Sequence, residues 1–228
     1  GVMNVRVVAL SAALVPFLSV QLTYLVAASH GLVDWCFPYL DSCTSISATG
    51  RKPPASYLFR ATMLPSAVLM MAYWWLNYSW LGYLRVQRGS GPSALNRSML
   101  VLGLLAGIGL ILYVTVLGEQ GDAWRTQRRV GTILFFSFTF LAQLLMLAQL
   151  RALAVSGVST RLLAAMWAVC GTLLLLGLLT VALDAWDADW YETVEDAFEW
   201  TLSLLLQSNF LLGYFVWRQA NWRLVVKE

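Results

Sequence analysis

Six stretches of this chain are long and apolar enough to cross a lipid bilayer, and they constrain the fold more than any other feature. A helix needs about 20 apolar residues to span the hydrocarbon core. The six runs are Val5–Ala28, Ala61–Leu84, Ser98–Leu117, Val130–Leu150, Leu162–Leu183 and Trp200–Trp217. Backbone N–H and C=O groups in lipid have to be hydrogen-bonded within the protein, so the runs predict helices and not open strands. The expected fold is an all-α bundle of six transmembrane helices.

The composition agrees with a polytopic membrane protein. The chain is 59% hydrophobic and 12% charged, and its mean hydropathy is +0.68, above the range of a soluble domain. Because the runs take up most of the chain, we expect one domain over residues 1–228, with outer loops at 29–56, 118–129 and 184–199. The first run is longer than the apolar part of a signal peptide, so we interpret it as a retained helix.

The basic residues predict the orientation of the bundle. If the N-terminus lies inside, the inner segments hold nine Lys and Arg residues and one acid, Glu228. The outer segments then hold six basic residues and the other eleven acids. The positive-inside rule therefore predicts that both termini are cytoplasmic and that the loop at 29–56 lies outside. The charge pattern gives no indication of a nucleic-acid partner.

Two of the three cysteines lie in the first outer loop. Cys36 and Cys43 are close in sequence and face an oxidising compartment in this topology. A disulfide that pins the loop is therefore favoured over two free thiols. Cys170 lies within the fifth run, where a small buried apolar residue is the simplest interpretation.

The sequence offers little for metal or nucleophilic chemistry. One histidine cannot build the His-rich site of a membrane metallohydrolase, so we expect no metal and no cofactor. The first outer loop does hold hydroxyls, acids and a histidine that could serve as nucleophile, orienter and base. These weak catalytic candidates are His30, Asp34, Asp41, Ser45 and Ser47.

Arg60 stands at the outer end of the second run, where a charge needs a partner or water. One hypothesis is a structural clamp to Glu195 or Glu199, which are spaced to share a helix face. The other is that Arg60, with Arg51 and Lys52, offers positive charge to a lipid phosphate. The residues themselves leave both hypotheses open.

The first outer loop also carries a resemblance to a known family. The loop reads Pro38-Tyr-Leu-Asp, then Thr44-Ser-Ile-Ser-Ala-Thr-Gly50, Pro53-Pro54 and Phe59-Arg60, and it leads into a helix ending in Asn77-Tyr78. This pattern resembles the Frag/DRAM/Sfk family of six-helix membrane proteins, nearest the branch of GPI-anchor lipid-remodelling factors. The chain departs from the family pattern in the pair Cys36 and Cys43. Its short loops are typical of a minimal, bacterial member.

The resemblance implies a lipid site at the outer leaflet, with the hydroxyl-rich loop as a cap over the headgroup. The expected headgroup contacts are Ser45, Ser47, Thr49, Gly50, Arg51 and Arg60. The predicted function is to bind a lipid or lipid anchor and, as a further hypothesis, to remodel it, which leaves open whether the protein is an enzyme. The alternative is a non-enzymatic scaffold or accessory subunit that stabilises other membrane proteins. A small-solute carrier ranks last, because few polar residues lie deep in the runs.

These interpretations set the expected surroundings of the protein. Its partners are membrane lipids and, in the scaffold hypothesis, other membrane proteins. Its location is a bacterial inner membrane or a eukaryotic Golgi or plasma membrane.

Overall fold

The computed structural model describes residues 2–225, and all of its long elements are helices. In chain order the elements are β1 (Val2–Met3), α1 (Arg6–Ser29), α2 (Pro38–Asp41), α3 (Ile46–Thr49), α4 (Ala55–Gln87), α5 (Ala94–Thr115), α6 (Asp122–Ala152), α7 (Thr160–Trp186), α8 (Ala188–Glu192), α9 (Glu195–Gln219) and β2 (Leu224–Val225). The two short strands pair antiparallel, with Val2 opposite Val225. The two ends of the described chain therefore lie together at one end of the bundle.

The predicted all-α class is confirmed, with five helices that could cross a membrane. Each of the six apolar runs coincides with a long helix, and α1, α4, α5, α6 and α7 are long and apolar enough to span a bilayer. The chain is therefore an integral membrane protein. The sixth run forms α9, which is not among these five because polar residues such as Gln207 and Asn209 interrupt it. The sixth span and the orientation in the membrane stay predictions.

The six long helices pack in the ring order α6, α5, α4, α1, α9 and α7. The contact between α5 and α6 is the most extensive, whereas α7 touches α6 only lightly. Burial agrees with this difference: 22% of the apolar window of α7 is buried, against 39–44% for the other four candidate spans. The ring is therefore loosest between α6 and α7.

Helices α5 and α6 approach until their backbones touch. A Cβ atom added to Gly131 would lie 2.5 Å from the Gly109 carbonyl oxygen and 2.8 Å from the Tyr113 backbone nitrogen. Since real Cβ atoms do not come this close to backbone, only glycine fits at this crossing. The crossing fixes the position of Tyr113 relative to α6.

The GxxxG motif of α5 serves packing inside the molecule. Gly103 lies against the Trp74 side chain and Gly107 against Met71, both on α4. Small residues on two sides of α5 thus let it approach both of its neighbours closely.

Helix α9 is joined to the bundle by buried polar side chains. The Trp217 indole N–H donates to Asn77 Oδ1 at 2.9 Å. The Asn209 side-chain amide donates to Gln143 Oε1, also at 2.9 Å. All four residues are buried, and a hydrogen bond between buried polar groups avoids the cost of leaving them unpaired. The polar residues that lower the hydropathy of α9 therefore serve its contacts with α4 and α6.

The glycine crossing makes a stability prediction. Gly131→Ala should destabilise the protein by about 1–3 kcal/mol, because the new methyl group meets backbone atoms that cannot move aside. Thermal unfolding of the purified protein in detergent would measure the loss as a lower Tm.

The matched control is Gly171→Ala in α7, where an added Cβ has no neighbour within 4 Å. Its Tm should stay equal or rise, because alanine has the higher helix propensity. Equal Tm values for Gly131→Ala and the unmodified protein would contradict the close crossing.

Candidate functional site

The first outer loop is stapled into a compact unit. A disulfide joins Cys36 and Cys43, which confirms the predicted pairing. The Tyr24 hydroxyl of α1 accepts from the Cys36 backbone N–H and lies 2.8 Å from both the Cys36 nitrogen and its carbonyl oxygen. The disulfide and the Tyr24 contact tie the first half of the loop to the outer end of α1.

The second half of the loop rests on α9. The Trp200 indole N–H donates to the Thr44 carbonyl oxygen at 2.9 Å, and both residues are buried. The Ala197 backbone N–H, which has no carbonyl partner within its own helix, donates to Ser42 Oγ at 3.1 Å. These bonds place α3 beside the start of α9.

Two serine hydroxyls at helix α3 have defined partners. Ser45 caps the helix by accepting from the Ala48 N–H at 3.0 Å, a role for which serine is favoured. The Ser47 hydroxyl lies 2.6 Å from the Tyr113 hydroxyl of α5. Since the α5–α6 crossing fixes Tyr113, this bond fixes α3 relative to α6.

An open groove of about 580 Å³ lies between α3, α6 and the start of α9. Its walls mix hydroxyls, charges and aromatic rings. The polar and charged residues that line it are Ser45, Ser47, Arg51, Thr132, Ser137, Thr180, Tyr191, Glu195, Asp196 and Glu199. We call this space the outer groove.

An apolar groove of about 210 Å³ continues from the outer groove, between α6 and α7. Three residues, Phe136, Ser137 and Leu202, line both spaces. The remaining walls are Phe140, Leu173, Leu174, Gly177, Leu178 and Leu206. The light contact between α6 and α7 thus leaves a polar mouth above an apolar channel.

The charges of the outer groove are of both signs. Arg51 faces three acids at the start of α9, which are Glu195, Asp196 and Glu199. Glu199 precedes the sixth apolar run and is partly buried. Burial, and then the nearby Asp196, raise the pKa of the Glu199 carboxyl to about 7, while Arg51 acts in the opposite direction. Burial likewise raises the pKa of Glu195 and Asp196. Near pH 7 the Glu199 carboxyl in the groove can therefore be either neutral or ionised.

A family model describes nearly the whole of this chain. The Frag1/DRAM/Sfk1/Cwh43P N-terminal domain matches residues 4–217. The chain belongs to this family. The resemblance carried by the first outer loop is thereby confirmed. No curated protein and no solved structure matches the chain significantly.

The loop residues expected to contact a lipid headgroup divide into two groups within this family member. Ser45, Ser47 and Arg51 line the outer groove. Thr49 and Gly50 are buried and do not line it. The Thr49 hydroxyl donates to the carbonyl oxygen at the start of its own helix, and Gly50 leaves no room for a side chain against α4.

Arg60 makes a contact that neither hypothesis contained. Its guanidinium donates to the Leu117 carbonyl oxygen at 2.6 Å, just beyond the C-terminal end of α5. A cation at this end of a helix is favoured by the helix dipole and satisfies a free carbonyl. Within residues 2–225, Arg60 forms no ion pair with Glu195 or Glu199. Arg60 does not line the outer groove either.

The weak catalytic candidates do not form one constellation. His30 Nδ1 bonds to the carbonyl oxygen of Val26 in its own helix, and Asp41 accepts from the Phe37 N–H at the start of α2. In the described part of the chain, no hydrogen bond joins His30 or Asp34 to the serines of α3. The described residues 2–225 also contain no group of three or more His, Cys, Asp and Glu side chains that could hold a metal ion.

Several groove residues were not identified from the sequence. Thr132 and Ser137 of α6 lie inside an apolar run and there resemble ordinary helix positions. The hydroxyl groups are the feature by which the sequence could have indicated them. The side of α6 that carries them becomes meaningful only when α7 is known to be its loosely packed neighbour.

The raised pKa of Glu199 predicts a pH-dependent stability. The folded state holds the proton more tightly than the unfolded chain, whose pKa is close to 4.5, so ionisation of Glu199 weakens folding as the pH rises toward 7. Glu199→Gln removes this cost. Its Tm advantage over the unmodified protein should therefore grow between about pH 5 and about pH 8.

Thermal unfolding in detergent across this pH range would measure the difference. Glu119→Gln is the control for the loss of one negative charge, since Glu119 is exposed and does not line the groove. A Tm difference for Glu199→Gln that is the same at every pH would contradict the burial argument.

Proposed function

We propose that this protein binds a membrane lipid, or the lipid part of an anchored molecule, with its headgroup in the outer groove and an acyl chain between α6 and α7. The observation that carries the proposal is the continuity of the polar mouth with the apolar groove through Phe136, Ser137 and Leu202. A lipid has this same division between a polar head and an apolar chain. The scaffold alternative predicts a packed outer face, and an open groove of about 580 Å³ argues against it.

The lining of the outer groove favours a headgroup that carries both an anion and hydrogen-bond donors. Arg51 offers a guanidinium, whose planar set of donors can form two parallel hydrogen bonds to a phosphate. The carboxyls of Glu195 and Glu199 accept hydrogen bonds from an amine or from sugar hydroxyls. Phosphatidylethanolamine and glycosylated phospholipids both carry this combination.

The proposal also includes the topology. Helix α9 has 25 residues, so it is about 37 Å long and could cross the hydrocarbon core as a sixth span. Six spans agree with the pairing of β1 and β2 at one end of the bundle. That end carries the basic residues, which supports a cytoplasmic location for both termini and an exterior location for the outer groove.

Remodelling of the bound lipid is the finer form of this proposal. Acyl exchange needs a nucleophile and a base. The groove contains the Ser47 hydroxyl, and the carboxyl of Glu199 has a pKa suited to proton transfer near neutral pH. Mass spectrometry of the lipid recovered after incubation would detect an exchanged chain, and an unchanged lipid would limit the function to binding.

The lipid site makes a prediction for two matched glycine variants of α7. Gly177 lines the apolar groove and Gly171 does not, and an added Cβ has open space at both positions. Gly177→Trp should fill the groove and weaken phosphatidylethanolamine binding about tenfold, the cost of displacing about two methylene groups. Gly171→Trp should bind as the unmodified protein does.

Native mass spectrometry of the purified protein with added phosphatidylethanolamine would measure the bound fraction. Arg51→Gln should also weaken binding, because it removes the phosphate contact while the acyl contacts remain. Equal lipid occupancy in Gly177→Trp and Gly171→Trp would exclude the groove as the site. Absence of bound lipid in the unmodified protein would favour the scaffold function.

The topology makes a separate prediction. The topology can be tested by labelling single cysteines placed at exposed positions in the two ends of the bundle. Gly50 cannot serve as such a position, because it is packed against Phe59. Lys52 lies in the same loop and is exposed, and Gly91 is exposed at the opposite end. In a background without Cys170, Lys52→Cys should react with a membrane-impermeant maleimide in intact cells, and Gly91→Cys only after permeabilisation. The reverse labelling pattern would overturn the orientation.

A further inference from the structure

A second cavity, of about 250 Å³, lies at the opposite end of the bundle from the outer groove. It is formed by the end of α4, the α4–α5 connection and the start of α5. The residues that matter for its chemistry are Arg85, Ser93, Asn96 and Arg97. A drug-sized ligand needs a pocket of roughly 300–1,000 Å³, so this cavity suits a group the size of a lipid headgroup and not its chains.

Two residues that line this cavity each have a buried polar atom with no hydrogen-bond partner among the described residues. The first is Nε of Arg85, and the second is Oδ1 of Asn96. Asn96 is only 3% exposed, and its side-chain N–H donates to the Tyr78 carbonyl oxygen at 2.9 Å. That bond identifies the unpaired atom of Asn96 as the oxygen, an acceptor. Leaving a buried donor and a buried acceptor unpaired is costly, so a ligand that satisfies both is favoured.

The charges around the cavity select an anion. Arg85 and Arg97 both line it, and the described residues at this end of the bundle include no Asp or Glu. The first turn of α5, which Ser93 caps, adds backbone N–H groups that no carbonyl of the helix accepts. Guanidinium groups beside a helix N-terminus are a favourable setting for phosphate.

The acceptor at Asn96 narrows the ligand further. A phosphodiester has no proton to donate and a phosphate monoester has lost most of its protons at neutral pH, so a second group of the ligand is needed to donate to Oδ1. An ammonium group would be repelled by Arg85 and Arg97, because no described Asp or Glu lies beside them to balance the charge. A hydroxyl has no such cost.

We propose that this cavity binds a phosphate ester that carries a hydroxyl, with the phosphate on Arg85 and Arg97 and the hydroxyl donating to Asn96 Oδ1. Two sources have this chemistry. One is the headgroup of an anionic phospholipid such as phosphatidylglycerol, and the other is a soluble polyol phosphate. The site is separate from the outer groove and does not depend on what binds there.

The test measures ligand binding to the purified protein in maltoside micelles by thermal shift and native mass spectrometry. The lipid probes are phosphatidylglycerol and phosphatidylmethanol, which have the same charge and differ in the headgroup hydroxyls. The soluble probe is glycerol 3-phosphate. Phosphatidylglycerol should bind several-fold more tightly than phosphatidylmethanol, because only it can donate to Asn96. If glycerol 3-phosphate binds as tightly as the lipid, the source is soluble.

The protein variants separate a local site from general attraction to a basic surface. Arg85→Gln and Arg97→Gln should each weaken phosphatidylglycerol binding about tenfold, as expected for a charge-assisted hydrogen bond. Arg161→Gln is the control, since Arg161 is an exposed arginine outside the cavity and the charge change is the same. Arg97 is exposed, so its variant decides the matter if Arg85→Gln does not fold.

Two results would overturn the proposal. An equal loss of binding in Arg97→Gln and Arg161→Gln would mean that the surface charge alone attracts the lipid. Equal binding of phosphatidylglycerol and phosphatidylmethanol would remove the hydroxyl contact at Asn96. Loss of phosphatidylethanolamine binding in Gly177→Trp, with phosphatidylglycerol binding retained, would confirm that the two sites are distinct.

Discussion

The backbone contact between α5 and α6 at Gly109 and Gly131 determines where the rest of the outer end can lie. A methyl group at Gly131 would sit 2.5 Å from the facing carbonyl oxygen, so the two helices behave as one rigid pair. Two residues near the outer end of this pair bind the rest of the structure. Tyr113 holds Ser47 of the first outer loop, and the Leu117 carbonyl holds Arg60 of α4. The loop and α4 are therefore positioned from the same rigid pair.

The helices of the ring pack closely except where α7 meets α6. Helix α6 packs closely against α5 through glycine, and α9 is hydrogen-bonded to α4 and α6 through buried amides and an indole. Helix α7 has no comparable set of contacts with α6, and most of its surface is exposed. Its exposed side chains include large aliphatic ones, among them Leu175 and Val181. An element held mainly by one neighbour is the part of a bundle that can move at the lowest cost.

The features that could be predicted from the sequence are those that depend on local signals. A long apolar run predicts its helix without knowledge of any neighbour, and two cysteines in one outer loop predict their own pairing. The Arg60 contact could not be predicted, because its partner is the backbone carbonyl of Leu117 and every residue has a carbonyl. The groove could not be predicted either, because it exists where α6 and α7 fail to pack. Thr132 and Ser137 gain their meaning only from that gap.

The opening between α6 and α7 determines which measure of lipid concentration sets the occupancy of the groove. A lipid entering sideways through this opening would not leave the bilayer, so its approach would be a diffusion in two dimensions. Occupancy would then follow the mole fraction of that lipid in its leaflet and would be indifferent to its concentration in water. A site of modest intrinsic strength could stay full beside an abundant lipid and empty beside a rare one. The composition of the surrounding membrane would set the state of the protein.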